Sequence, residues 1–149
     1  MKNQIEAITN RLLPFITVLY LYSSKNRTIL NNATGTLLDT GKRKLLITSF
    51  HVWEEFLEKD GNGEGSDLQL CFFRGPGEKI FTFDSPSPLD SNKDVDIVVF
   101  PFDNALPENN HKKYFKAATW PPARVRQGDA IFLVGYPGAL RSGFISCCK

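Results

Sequence analysis

The sequence contains three cysteines, Cys71, Cys147 and Cys148, with no C-x-x-C pair among them. An odd number without ligand spacing indicates neither a disulfide framework nor a zinc knuckle, and predicts a reduced, cytoplasmic protein. Charge of one sign is also lacking: 18 Lys and Arg face 16 Asp and Glu. That excludes the basic field that drives nucleic-acid binding, so no nucleic-acid partner is expected. Lys42-Arg43-Lys44 and Lys112-Lys113 read as solvated turns. No apolar run approaches the roughly 20 residues of a membrane span, so no membrane partner is expected. The stretch Leu12 to Tyr22 behind Arg11 has the look of a signal-peptide core, but it contains Pro14, and the polar residues from Ser23 to Arg27 offer no small-residue cleavage site. It reads as a strand. Nothing suggests a metal or a cofactor.

What is present is ordinary for a globular chain: 149 residues, 42% apolar and 23% charged, enough for one domain with a sizeable core. Ile5, Ile8 and Leu12 fall at near-helical spacing and Pro14 stops the pattern, which predicts a helix over residues 1–14. From Phe15 onward the periodicity turns to strands. Phe15 to Tyr22 is dense in β-branched and aromatic residues. Thr28 to Leu38, the turn-forming set Asp39 to Arg43, and Leu45 to Thr48 predict a hairpin. A turn over Val52 to Leu57 and a glycine-rich loop, Lys59 to Ser66, follow. Leu68 to Phe73, Lys79 to Phe83 and Ile97 to Phe100 complete a series of short strands at roughly ten-residue intervals, the pattern of an all-β barrel or sandwich over residues 15–103. Residues 104–128, with Pro107, Pro121 and Pro122, read as a connector. Residues 129–149 open one further strand, Ile131 to Val134, before Gly135-Tyr136-Pro137-Gly138.

One of two histidines, His51, follows the strand Leu45 to Thr48 directly. A histidine there is suited to act as a general base at a cleft edge; on the residues alone it also reads as an ordinary, partly buried histidine. Asp94-Val95-Asp96 precedes the strand Ile97 to Phe100. A carboxylate at that position can accept a hydrogen bond from one imidazole nitrogen and orient the other toward a nucleophile. Asp96 abuts the strand and by alternation shares a face with Val98 and Phe100, whereas Asp94 lies further out. Both are equally readable as carboxylates of a solvated turn.

Taken in order, Gly35-Thr36-Leu37-Leu38, Leu45 to Val52, Asp94-Val95-Asp96-Ile97-Val98-Val99, and Gly128-Asp129-Ala130-Ile131 through Gly138 resemble the trypsin-like, chymotrypsin-fold serine peptidases, nearest the disulfide-free bacterial branch that includes the HtrA-like enzymes. The likeness runs from about Phe15 to Ser142. It implies a six-stranded N-terminal β-barrel followed by the start of a second barrel, with His51 as general base, Asp96 as its orienting acid, and a polypeptide substrate or protein partner. Phe50 stands where the family usually has Ala or Asn, and Ala33-Thr34-Gly35 replaces a Gly-Ser/Thr-Gly run.

The larger departure is that the family's Gly-[Asn/Asp]-Ser-Gly-Gly loop, which carries the nucleophile and the oxyanion hole, has no counterpart in these residues. Ser142 falls in a strand position with no Gly-Gly after it. Cys147 and Cys148 invite comparison with the cysteine peptidases of the same fold, but no glycine surrounds them. Cys71, within a predicted strand, reads as a small buried hydrophobe, and His111 has no nameable partner. The resemblance therefore implies a serine endopeptidase truncated before its nucleophile and inactive as given. The alternative is a barrel kept as a non-catalytic interaction module, or an inactive gene fragment.

Overall fold

The structure is a computed structural model, and it describes residues 2–23, 25, 28–61, 66–71, 80–83, 87–103 and 112–116. The expected strand Ile131 to Val134, Ser142, Cys147, Cys148 and His111 lie outside these residues. The described part is predominantly antiparallel β-sheet with two α-helices. Helix α1 (Lys2–Leu12) ends as expected before Pro14, which sits in a single 3-10 turn, Leu13–Phe15. Strands β1 (Ile16–Ser23), β2 (Thr28–Asp39), β3 (Lys44–Thr48), β4 (Ser66–Cys71), β5 (Ile80–Phe83) and β7 (Ile97–Pro101) correspond to the six predicted runs. Two short strands are additional: β6 (Asp90–Asn92), and β8 (Phe115–Lys116), which falls inside the expected connector.

The sheet runs β5-β4-β1-β2-β3-β7-β6, every ladder on this path antiparallel. Strand β8 pairs in parallel with Leu38 and Asp39, continuing the side of β2 that β1 leaves after the Ile16 to Thr36 pairing. Among the described residues no ladder joins β5 to β6. No described helix is long and apolar enough to cross a membrane.

The β2–β3 hairpin turns through Asp39 to Arg43. Asp39 Oδ1 accepts the Gly41 N–H at 2.8 Å and Thr40 Oγ1 accepts the Arg43 N–H at 3.1 Å. Gly41 supplies the positive φ, +79°, that the reversal needs. Gly35, on β2, is required for a different reason. A Cβ there would sit 2.7 Å from Leu46 Cδ1 and 3.0 Å from Thr17 Cγ2.

Strand β1 is covered on both faces, with Thr17, Leu19 and Leu21 fully buried and Ile16 and Val18 nearly so. The main core joins Leu19, Leu21, Leu37, Leu46, Val98, Phe100 and Phe102 to one face of helix α2 (Phe50–Gly61), namely Val52, Trp53 and Phe56. Trp53 meets Phe100 edge to face at 5.3 Å and stacks on Phe56 at 5.1 Å. Where the sequence suggests a turn over Val52 to Leu57, the chain makes a three-turn helix. Its apolar positions at i, i+1 and i+4 form one stripe, Glu54, Glu55, Glu58 and Lys59 lie off it, and Gly61 is its last residue.

Candidate active site

Strand β3 ends at Thr48, and His51 lies in the first turn of α2. Strand β7 begins at Ile97, and Asp96 is the residue before it. Because the antiparallel register sets Thr48 opposite Val98, the chain leaving β3 and the chain entering β7 meet at one end of the sheet. His51 Nδ1 and Asp96 Oδ2 are 2.8 Å apart there. Asp96 Oδ1 also accepts the main-chain N–H of His51 at 2.9 Å, and the Asp96 carbonyl accepts the Phe50 N–H at 3.2 Å. One residue thus satisfies two free N–H groups at the start of α2 and binds the imidazole as well. The first turn of α2 has no acidic residue of its own. Asp96 brings a negative charge to that helix end from 45 residues away.

These bonds have an electrostatic signature. The Asp96 carboxyl is held below the usual carboxylate range, chiefly by the main-chain N–H of His51. Its slight loss of hydration works the other way, while the imidazole and the Phe50 N–H add to the lowering. With Asp96 ionised and acceptor-only, the neutral imidazole places its proton on Nδ1 and leaves Nε2 as the acceptor. Nε2 has no protein partner among the described residues. A nitrogen so arranged can take a proton from an approaching hydroxyl, thiol or water.

Two sequence expectations about this pair need correcting, one for each residue. Asp96 does not share a face with Val98 and Phe100: those side chains are buried, whereas the Asp96 side chain is 49% exposed. The reason is its backbone, which at φ +54° is left-handed and breaks the strand alternation one residue before β7. Nor is His51 buried on one side at a strand end; its side chain is 64% exposed on a helix. Asp94 stands exposed in the turn.

The turn carrying Asp96 is built locally. The Asp96 N–H donates to the Lys93 carbonyl at 3.2 Å, and Asn92 Oδ1 accepts the Val95 N–H at 3.2 Å. Lys93 Nζ lies 2.5 Å from Glu54 Oε1 and 5.9 Å from the centre of the Phe50 ring. Phe50, Glu54 and Lys93 therefore belong to the site; of the three, only Phe50 stands out in the sequence, as a departure from the family pattern. A helical reading of residues 50–61 would have put Glu54 one turn after His51. No group of His, Cys, Asp or Glu among the described residues is placed to hold a metal.

Comparison of the chain with protein-family models, with curated proteins and with solved structures finds no match.

Proposed function

We propose that this chain is the base- and acid-bearing part of a trypsin-like serine endopeptidase, in which His51 is the general base and Asp96 its orienter. The observation that carries the reading is the two-point grip of Asp96 on His51, with one carboxylate oxygen on the main-chain N–H and the other on Nδ1. That grip fixes both the ring's position and its tautomer, the role of the acid in a Ser-His-Asp triad. On this reading β1 to β5 and β7 form the N-terminal barrel, and the substrate is a polypeptide. The odd number of cysteines without C-x-x-C spacing supports a reducing, cytoplasmic setting.

The 149 residues contain no Gly-x-Ser-Gly-Gly loop. Without nucleophile and oxyanion hole, even the residual rate that such a site retains on losing its serine, on the order of a thousandfold over water, is not available. The purified chain is therefore expected to leave casein and peptide reporters intact. A serine-directed fluorophosphonate is expected to label a longer product of the same reading frame, through a Gly-x-Ser-Gly-Gly serine, and to lose that labelling in His51→Ala. Absence of such a coding stretch in every frame past the Lys149 codon would refute the peptidase reading.

A second reading is favoured by one observation. The same Asp96 carboxylate caps α2, so the pair has a structural use that survives without catalysis. A non-catalytic β module would keep Asp96 for that purpose and would melt cooperatively as a monomer.

A further inference from the structure

The Asp96 turn touches α2 at both of its ends. At one end stand the three bonds from Asp96 to Phe50 and His51. At the other, Lys93 reaches Glu54, one turn along the same helix from His51, and lies over the ring of Phe50. At the first of these ends Asp96 holds a left-handed backbone, which Asp adopts more readily than most L-residues but which still costs more than a right-handed one. If the turn relaxed toward a right-handed conformation, the carboxylate would swing away from Nδ1, because the direction of the side chain follows the backbone.

We infer that Lys93, through its ion pair with Glu54, is a positioning residue for His51, holding the turn against α2 so that Asp96 meets the main-chain N–H and Nδ1 together. The inference rests on the reading of His51 and Asp96 as a base and its orienter. Lys93 touches neither the imidazole nor any reacting atom; it acts through Asp96. Both members of the pair are well exposed. The effect is therefore a shift in the population of the bonded turn, about two- to fivefold, the range that an exposed ion pair carries.

The test uses the chain labelled with 15N in histidine at pH 8.5, where two-bond couplings report the ratio of Nδ1–H to Nε2–H tautomer for His51. Lys93→Met keeps the aliphatic stem and removes the charge, and Glu54→Gln removes the partner's charge. Each is expected to lower the ratio about two- to fivefold. The double variant should do no more than Lys93→Met alone, since that substitution already removes the ion pair that Glu54→Gln breaks. Lys93→Arg should restore the wild-type ratio. Thermal midpoints should stay within about 2 °C of wild type, as for other exposed substitutions.

An unchanged ratio in Lys93→Met and Glu54→Gln overturns the inference while leaving the pair itself intact. So does a double variant whose loss is the product of the two single losses. A wild-type ratio that does not differ from that of Asp96→Asn removes the base-and-orienter reading, and the inference with it.

Discussion

Replacing Asp96 by Asn reverses the tautomer of His51 while leaving the fold in place. In the native chain one oxygen of Asp96 accepts the His51 main-chain N–H at 2.9 Å and the other faces Nδ1 at 2.8 Å. An asparagine has one acceptor and one donor end. Its oxygen must stay on the main-chain N–H, because an NH2 group turned there would face another donor. The NH2 is then left opposite Nδ1, which has to become the acceptor and pass its proton to Nε2. His51 in the variant mainly presents an N–H at Nε2, the form that cannot accept a proton there.

The size of the effect follows from exposure. A charge-assisted N–H to carboxylate bond is strong in a dry site. Both side chains here are more than a third exposed, which keeps the coupling in the range of surface pairs, at most about 1 kcal/mol. That corresponds to a preference of roughly fivefold for Nδ1–H, and Asn, by reversing its sign, should change the ratio by at most about 25-fold overall. Helix capping survives, since Asn caps as well as Asp. Asn also tolerates the left-handed backbone at φ +54°. Nitrogen-15 spectra at pH 8.5 measure the ratio. If Nδ1–H persists in Asp96→Asn, the carboxylate does not set the tautomer and the argument for an orienting acid fails. In any longer product with hydrolytic activity, the same substitution should lower kcat by at least the factor by which it shifts the tautomer ratio, and by more, toward the roughly four orders of magnitude of a buried triad, if further residues bury the pair.

Gly35→Ala should destabilise the chain by about 1 to 3 kcal/mol in urea or guanidinium titration, since its Cβ would lie 2.7 Å from Leu46 Cδ1 and both Leu46 and Thr17 are too deeply buried to move aside; equal or greater stability would show that the strand backbones at this point do not approach so closely. Tyr114 should make stability fall at high pH. Burial first, then the charges of Asp103 and Asp39, push its phenol up to about 12. The folded chain holds this proton more tightly than the unfolded one. The contribution is therefore fully present below about pH 10 and is lost as pH rises through about 12, on the order of 2 kcal/mol. Tyr114→Phe should remove that slope along with the phenol's hydrogen bond to the Phe102 carbonyl, and an unchanged alkaline limb would refute the assignment.

The strands were legible because their residues announce them. Phe15 to Tyr22, Leu45 to Thr48 and Ile97 to Phe100 are β-branched and aromatic between clear breakers, and Asp39 to Arg43 carries turn chemistry in its own side chains. His51 and Asp96 were also legible, as residue types at the ends of such strands. The details of the site were not. Helix α2 begins with Phe50, His51, Val52 and Trp53, residues with no strong helical preference, and the bonds that satisfy its first N–H groups come from Asp96, far away in sequence. The left-handed backbone of Asp96 has the same origin: its φ is stabilised by partners on α2 that no local pattern contains. Strands β6 and β8, of three and two residues, are too short to show any period.

His51 is held against Asp96 mainly by the register of the strands beneath the pair. The pair itself, exposed as it is, contributes at most about 1 kcal/mol. The register of β3 and β7 is held by far more. Val98 and Phe100 are buried in the core while Ile97 and Pro101 are exposed, and Leu46 lies opposite Phe100. A slip of one residue would turn Val98 and Phe100 outward, forfeiting about 1.5 to 3 kcal/mol for each. It would also displace Asp96 by the rise of one strand residue, roughly 3.3 Å, which is enough to break all three of its bonds to α2. The hydrogen bond between His51 and Asp96 is therefore a result of the packing beneath it, and most of the energy that keeps the imidazole beside the carboxylate is stored in the apolar core.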